Sequence, residues 1–216
     1  MDTLKPRLSI LPESQQRVWP QLRVFNDRFV LYGGTAVSLR CGHRISVDFD
    51  LFSSRSFDPA DLSEDIVNEG RPLQSAPNNY SFLIEFPEPV KISLFGSLKM
   101  GRVGEPELTA DGVLYVASPL DLLAAKLKVV FQRAEKKDYE DIAVLLESGL
   151  ELEEGLGAAK TLYGKNFNSA LALKTLTFYE DGDLPELDEF TREILIKAVK
   201  NCRNIPKVPK SSRTLL

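Results

Sequence analysis

Two aspartates, Asp48 and Asp50, stand one residue apart in the stretch GGTAVSLRCGHRISVDFDLF, residues 33–52. On a β-strand, residues i and i+2 point to the same face, so the two carboxylates can converge on one divalent cation. Carboxylates this close repel each other unless a cation lies between them. Mg²⁺ is the natural ion, with Mn²⁺ as an alternative, because it takes oxygen ligands from carboxylates and substrate phosphates. The pair therefore predicts a metal site, against the simpler interpretation of a solvated strand face.

A glycine pair opens the same stretch, directly after the apolar run FVLY. Gly33 and Gly34 end the strand predicted there, and a short helix is expected to begin near Thr35. Glycine lets the backbone approach an anion closely, and the free N–H groups of a helix start favour negative charge. Thr35 adds a hydroxyl. Such turns are common for structural reasons alone, but combined with the aspartates this one predicts a phosphate cradle that faces a metal.

Three further polar residues lie between the cradle and the aspartates: His43, Arg44 and Ser46. Ser46 shares the predicted face of Asp48, where it either contacts substrate or accepts a regulatory phosphate that would repel a phosphate-bearing ligand. Arg44 either meets a substrate phosphate or pairs with an acidic neighbour. For His43 a role as a base is an option, but a hydrogen bond that fixes the turn is the simpler interpretation.

Composition excludes several other function classes. Of the 216 residues, 43% are hydrophobic and 27% charged, which is typical of a soluble globular protein with one large or two small domains. One histidine and two cysteines exclude a histidine-rich metal centre, a zinc cluster and a disulfide framework. The sequence contains neither a membrane-length apolar run nor a signal-peptide pattern, so we expect a cytoplasmic protein with no membrane partner.

The elements that must position these residues fall into a strand-rich part and a helical part. Strands are predicted at FVLY, residues 45–52, SFLIEF, VKISLF and VLYVA. Helices are predicted around residues 14–26, 59–68, from Pro119 onward, and over 152–163, 168–178 and 187–201. Residues 71–80 and 101–112 are predicted loops. Ser118 is expected to cap the helix that begins at Pro119.

The change of pattern predicts three regions. Residues 1–117 form an α/β core, residues 118–204 form a helical domain that packs on it, and residues 205–216 form a disordered basic tail. Residues 191–216 hold seven Lys or Arg and one acidic residue. This basic segment either contacts a phosphate backbone or is simply a solvated helix end with a frayed tail.

Two blocks of the sequence resemble the AbiEii/AbiGii nucleotidyltransferase toxin family, part of the DNA polymerase β-like superfamily. The first block is Gly34-Thr35, a twelve-residue spacer, and Asp48-Phe49-Asp50. The second, SPLDLLAAKLKVVFQRAEKKDYEDIAVLL, is similar to the later block of the family, a lysine on a helix followed by a basic residue and a short Asp-x-x-Asp. The residues at those positions are Lys126, Arg133, Lys137, Asp138 and Asp141.

The resemblance implies an α+β fold, with a nucleotidyltransferase-type mixed β-sheet, flanking helices and a C-terminal helical bundle. It implies Mg²⁺-dependent transfer of a nucleoside monophosphate from an NTP to a hydroxyl acceptor, expected to be RNA such as tRNA. It also implies a toxin of a type IV toxin–antitoxin or abortive-infection system, relieved by a cognate antitoxin. A protein hydroxyl as acceptor, and a nucleotide-binding module with impaired catalysis, stay open as alternatives.

The resemblance further implies a role for each site residue. The triphosphate is held by Gly33, Gly34 and Thr35, and the metal by Asp48 and Asp50. Lys126 reaches the phosphates, and Asp141, with Asp138, completes the site. The simpler interpretations are a surface lysine at position 126 and ordinary helix ion pairs for the two aspartates, including Lys137 with Asp141.

One position departs from the superfamily pattern. A third carboxylate usually comes from a neighbouring strand, and the expected place, in VKISLF, holds Ser93. If Pro87-Glu88-Pro89 closes a hairpin, Leu83 lies opposite Ser93 and Glu85 opposite Lys91. Glu85 then either supplies the missing charge or forms a plain cross-strand pair with Lys91.

Overall fold

The computed structural model describes residues 3–62, 65–85, 87–130 and 132–216. Positions 63 and 64 of the predicted helix 59–68, and Phe86 at the end of the predicted strand SFLIEF, lie outside these ranges.

The chain divides into two compact units that interleave in sequence. The sheet unit comprises Met1–Gly101, Glu105–Ala117 and Ser212–Leu216. The helical unit comprises Arg102–Gly104 and Ser118–Ser211.

A seven-stranded mixed sheet is the centre of the sheet unit. Its elements are α1 (Glu13–Val18), β1 (Val30–Tyr32), α2 (Gly33–Cys41), β2 (Asp48–Phe52), α3 (Asp65–Glu69), β3 (Arg71–Ala76), β4 (Asn79–Ile84), β5 (Val90–Phe95), β6 (Glu107–Leu108) and β7 (Tyr115–Val116). The strand order is β3-β4-β5-β2-β1-β7-β6. The pairs β2–β5 and β1–β7 are parallel, and the other neighbours are antiparallel. The sheet confirms the predicted α+β class.

Strand β2 has one apolar and one acidic face. Phe49 and Leu51 are fully buried, and Trp19 packs on Phe49 with ring centroids 6.1 Å apart. The alternate residues Asp48 and Asp50 are half-buried on the other face. Because β2 lies between β1 and β5, the apolar face is fixed in the core and the two aspartates share the opposite face, as the sequence predicts.

The prediction of a loop over residues 71–80 was wrong. Residues 71–76 form the edge strand β3, and a turn at Pro77-Asn78 joins it to β4, with Asn78 at φ +62°. All six β3 residues are exposed, so the strand lacks the apolar alternation by which strands are recognised. The prediction of a continuous loop over residues 101–112 was also wrong, because β6 lies within it.

The hairpin of β4 and β5 is present, but its predicted register was wrong by two residues. Leu83 lies opposite Lys91, and Ser81 lies opposite Ser93. The ladder closes at Ile84 and Val90, before the prolines at 87 and 89. Proline has no N–H to donate, so a shorter connection with pairing closer to the turn is disfavoured.

Five helices make up most of the helical unit: α4 (Pro119–Val129), α5 (Lys136–Glu147), α6 (Leu152–Tyr163), α7 (Ser169–Thr175) and α8 (Glu189–Asn201). The α6 bounds match the prediction, while α7 and α8 are shorter than predicted. The described part of the chain contains no helix that is both long and apolar enough to cross a bilayer.

The start of α4 is fixed by a buried aspartate. The Ser118 hydroxyl accepts the Asp121 N–H at 3.1 Å, which confirms the predicted cap. The Asp121 carboxylate in turn accepts the N–H groups of Val103 and Gly104, both at 2.9 Å, and the Ser118 hydroxyl at 2.6 Å. Burial raises the pKa of Asp121 above its usual value, and these hydrogen bonds offset only part of that effect. The segment Arg102–Gly104 is therefore part of the helical unit.

The C-terminal residues have defined contacts in place of the expected disordered tail. Within the helical unit, the Thr161 hydroxyl donates to the Val208 carbonyl at 2.6 Å. Within the sheet unit, Leu215 is 1% exposed and its N–H donates to the Ser54 hydroxyl at 3.0 Å. The basic residues of the segment draw attention away from its apolar ones, of which Leu215 is buried and holds the chain end in place.

Candidate functional site

The glycine turn after β1 lies directly beside Asp50. Tyr32, the last residue of β1, is the register partner of Asp50 on β2. Gly33 follows at φ +74°, and a Cβ on it would lie 2.5 Å from the Asp50 Oδ2 atom. A side chain at this position would therefore be strained in the backbone and would also collide with the carboxylate. The close approach of turn and carboxylate requires glycine.

Gly34 is enclosed by two of the predicted site residues. A Cβ on Gly34 would run into the Arg44 guanidinium and would lie 2.8 Å from the Ser46 hydroxyl. Helix α2 begins at this turn, and its N-cap residue, Tyr32, provides no side-chain cap. One small space beside Gly34 is therefore surrounded by the first N–H groups of the helix, by Arg44 and by Ser46. The N–H groups and the guanidinium are hydrogen-bond donors that favour an anion.

Thr35 has a different contact from the one that the family resemblance implies. Its side chain is fully buried, and the hydroxyl donates to the Asp48 carbonyl at 2.5 Å. The hydroxyl therefore ties the start of α2 to the backbone of β2. In this structure Thr35 positions the Asp48 backbone.

Strand β5 places Lys91 beside the two aspartates. The sequence did not assign this lysine to the site. Lys91 is the register partner of Asp48, and Ser93 is the register partner of Asp50. Partners on parallel strands share a face, so Lys91 lies on the same face as Asp48. Because β5 and β1 flank β2 on opposite sides, Lys91 is on the side of Asp48 away from the glycine turn that follows β1. Within the residues that the structure describes, the side chains of Asp48 and Lys91 form no ion pair at 4.0 Å or less. The parallel pairing of β2 with β5 carries no local sequence signal, so neither periodicity nor motif could place Lys91 here.

Ser93 and Glu85 do not provide a third carboxylate next to Asp50. Ser93 is 2% exposed and lies beside Asp50, with Ser81 opposite it on β4. Glu85 accepts a hydrogen bond from Arg71 Nε at 2.8 Å on an exposed part of the surface. The pair with Arg71 takes the place of both alternatives left open for Glu85, a third carboxylate beside Asp50 and a cross-strand pair with Lys91.

Lys126, Asp138 and Asp141 meet inside the helical unit. The Lys126 ammonium lies 2.7 Å from Asp138 Oδ1 and 2.5 Å from Asp141 Oδ2. The lysine side chain is 8% exposed, and both aspartate side chains are 0% exposed. Arg133 Nε adds a further ion pair to Asp138 Oδ2 at 2.8 Å. We call these four residues the buried charge cluster.

The buried charge cluster stabilises the ionised form of Asp138. Burial by itself would raise the pKa of Asp138, but hydrogen bonds from Arg133 and the charge of Lys126 lower it below its usual value. Lys137, predicted as a partner of Asp141, instead pairs with Glu135 at 2.8 Å. Both aspartates therefore form ion pairs: Asp138 with Lys126 and Arg133, and Asp141 with Lys126.

The donor set of the sheet unit fits a hard divalent cation. Asp48 and Asp50 present carboxylate oxygens on one face, next to a turn at which only glycine fits. The described residues contain no group of three or more His, Cys, Asp or Glu side chains that could hold a metal. A cation at Asp48 and Asp50 would thus need further oxygen ligands from substrate or water, which is how Mg²⁺ is often bound with phosphates.

Comparison with known proteins relates most of this chain to a described family. Residues 21–201 match the family described as "Nucleotidyl transferase AbiEii toxin, Type IV TA system". An uncharacterized protein of Aquifex aeolicus (strain VF5), aq_aa25, is 32% identical over 165 residues, which cover 74% of this chain and 77% of that protein.

A solved structure shares the fold. The crystal structure of an antigenic nucleotidyltransferase-like protein from Paracoccidioides brasiliensis superposes with a TM-score of 0.57 at 15% identity. The match covers 92% of this chain and 98% of that one. The fold is thus nucleotidyltransferase-like, as the sequence resemblance implies.

Proposed function

Because the chain belongs to the AbiEii nucleotidyltransferase toxin family, we propose that it transfers a nucleoside monophosphate from an NTP to a hydroxyl acceptor, with release of pyrophosphate. One observation carries this proposal. Asp48 and Asp50 share a sheet face directly beside a turn in which Gly33 leaves no room for a side chain. Carboxylates for a cation and backbone donors for phosphate are what an NTP site requires.

In the proposed site, each residue of the sheet unit has a separate task. Gly33 and Gly34 let the NTP phosphates approach the backbone, and Arg44 offers a guanidinium at the same turn. Lys91, on the other side of Asp48, neutralises phosphate charge. Thr35 acts indirectly, since its hydroxyl holds the Asp48 backbone. These groups position the phosphates and stabilise negative charge, which is the main contribution that a protein makes to phosphoryl transfer.

The cation for this site is proposed to be Mg²⁺, with Mn²⁺ as an alternative, held by Asp48 and Asp50. When bound, it would polarise the phosphoryl oxygens and offset their charge. The buried charge cluster is assigned a positioning role. The two cations Lys126 and Arg133 already balance the carboxylates of Asp138 and Asp141, so we expect the cluster to maintain the helical unit.

The acceptor is proposed to be RNA, with tRNA as the first candidate, and the biological role that of a toxin. The basic residues of the 191–216 segment support an RNA acceptor, because phosphate contacts dominate the affinity of proteins for nucleic acids. Membership of a type IV toxin–antitoxin family supports a cognate antitoxin as partner.

The decisive experiment incubates the protein with each labelled NTP in turn, Mg²⁺ and total tRNA. We expect label in tRNA from one or two NTPs and none with Asp48→Ala, while Glu85→Ala, which removes an exposed carboxylate outside the site, keeps the wild-type rate. Label in protein alone would replace the RNA acceptor with a protein hydroxyl. A wild-type rate for Asp48→Ala would refute the proposed catalytic site.

A second candidate is a nucleotide-binding module that has lost transfer activity. The observation that favours it is Ser93, which lies beside Asp50 where the superfamily pattern has a carboxylate. Such a module would be stabilised against heat by NTP and Mg²⁺ yet would label no acceptor. Thermal shift with each NTP, run beside the transfer assay, separates the two functions.

A further inference from the structure

A cavity of about 410 Å³ lies within the helical unit. Buried apolar side chains line its inner part, among them Tyr139 and Leu184. Two apolar side chains at its margin are strongly exposed, Leu171 at 43% and Phe178 at 42%. Lys174 and Asp181 also line it. An exposed aromatic ring beside a cavity of this size, with charged groups around it, is typical of a ligand site.

The walls of this cavity are held in place by specific contacts. Gly182, at φ +58°, has no room for a Cβ because it packs against the Ala134 carbonyl. The Asp183 carboxylate accepts the Lys136 N–H at 2.6 Å. On the other wall, the Tyr139 hydroxyl donates to the Thr175 carbonyl at 3.2 Å. The cavity is therefore preformed, which lowers the entropic cost of binding.

We propose that this cavity binds one unstacked nucleotide of a single-stranded RNA. The base would stack on the Phe178 ring with Leu171 beside it, since aromatic faces accept any base. The flanking phosphate would meet the Lys174 ammonium. The Asp181 carboxylate would accept a hydrogen bond from the ribose 2′-hydroxyl, the group that distinguishes RNA from DNA. The choice of RNA rests on the acceptor proposed above.

The charges around the cavity favour this orientation of the ligand. The Lys174 ammonium forms no ion pair with any residue that the structure describes, so a phosphate can take it. Arg133 also lines the cavity, but its guanidinium already pairs with Asp138 at 2.8 Å and with Glu135 at 3.4 Å. The Asp181 carboxylate repels phosphate. The RNA phosphate is therefore expected beside Lys174, and the ribose beside Asp181.

Binding of a labelled eight-nucleotide single-stranded RNA, followed by fluorescence anisotropy at fixed ionic strength, tests the proposal. Phe178→Ala should weaken binding about tenfold, the usual effect of removing one stacking ring. Phe190→Ala is the matched control, because Phe190 is 62% exposed in the same unit but does not line this cavity, and it should leave affinity unchanged. Equal affinities for the two variants would overturn the proposal.

A charge variant tests the phosphate contact without altering the apolar wall. Lys174→Gln should reduce the dependence of log affinity on log salt concentration by about one phosphate contact, while the exposed control Lys165→Gln should not change it. A salt dependence that is the same in both variants would contradict the contact. Both lysines are exposed, so these variants are expected to fold.

Two further comparisons identify the ligand. The same sequence as DNA should bind several-fold more weakly, and free mononucleotide should compete only at much higher concentration; equal binding of either would overturn the assignment to RNA. Asp48→Ala should bind the RNA with wild-type affinity. If transfer activity is never found but the Phe178 dependence holds, the cavity remains an RNA site and only the proposed reaction fails.

Discussion

Two pairs of aspartates in this chain have similar spacings and opposite surroundings. Asp48 and Asp50 lie half-buried on a sheet face beside a glycine turn, with Lys91 as the register partner of Asp48 and Ser93 as that of Asp50. Asp138 and Asp141 are fully buried and share the Lys126 ammonium. A buried carboxylate whose charge is balanced by neighbouring cations stabilises the fold. A half-exposed carboxylate beside N–H groups suited to phosphate can bind a metal ion together with that phosphate. Spacing alone therefore does not distinguish a half-exposed aspartate pair that could bind a cation from a buried pair that stabilises the fold.

The sharpest test of this contrast removes charge from the sheet pair. Asp48→Asn keeps the shape of the side chain but should reduce nucleotide transfer at least about 1000-fold, because metal-assisted charge stabilisation contributes several kcal/mol. Its free energy of unfolding should stay within about 0.5 kcal/mol of wild type. Rates from labelled NTP and unfolding in urea measure the two effects. A large loss of stability would mean that Asp48 is structural too.

The second test removes a carboxylate from the buried charge cluster. Asp138→Ala should cost about 3–5 kcal/mol of stability, because it leaves Lys126 and Arg133 poorly compensated. Glu147→Ala, on the same helix, is the control; Glu147 is exposed, so its loss should cost less than about 1 kcal/mol. If Asp138→Ala were stable but inactive, the cluster would belong to the catalytic machinery and the contrast would break down.

The third test addresses the glycine turn that distinguishes the sheet pair. Gly33→Ala and Gly112→Ala both place a side chain at positive φ, +74° and +71°. Each should lose about 1–2 kcal/mol of stability for that reason. Only Gly33→Ala also meets Asp50, whereas the nearest atom at Gly112 is 3.7 Å away. NTP binding by thermal shift should fall more than about tenfold for Gly33→Ala alone; equal NTP binding by both variants would contradict an NTP site at the turn.

The smallest expected effect is in the pH dependence of stability. The folded pKa of Asp138 is below its unfolded value of about 3.9. Its stabilising contribution is therefore fully present above that value and is lost as the pH falls through the folded pKa. Urea unfolding between pH 6 and the acid range, about pH 3, should show a steeper loss for wild type than for Asp138→Asn. Parallel curves would mean that Arg133 and Lys126 do not lower the pKa of Asp138 in the folded protein.

Sequence reasoning recovered what local pattern encodes. The Ser118 cap, the bounds of α6 and the common face of Asp48 and Asp50 follow from residue type and periodicity. It failed where pairing between strands decides the outcome. The register of β4 with β5 depends on two prolines in the connection, and the exposed strand β3 is defined only by its partner.

The candidate site shows the same limit. Lys91 enters it through parallel pairing of strands separated by the whole β3–β4 hairpin, and the Thr35 contact depends on how α2 packs on β2. The identity of the buried partners of Asp138 and Asp141 likewise needed the packing of α4 on α5. The roles of the site residues as NTP and metal ligands stay predictions until the variants above are measured.

The hydrogen bonds between Asp121 and the segment Arg102–Gly104 have a consequence for how such proteins can diversify. A gene fusion that exchanged only residues 118–211 between relatives would leave the buried Asp121 carboxylate without the Val103 and Gly104 N–H groups. A buried carboxylate that loses its donors is costly. Recombination at a single crossover near residue 117 is therefore expected to yield poorly folded chimaeras unless residues 102–104 come from the same parent as the helices.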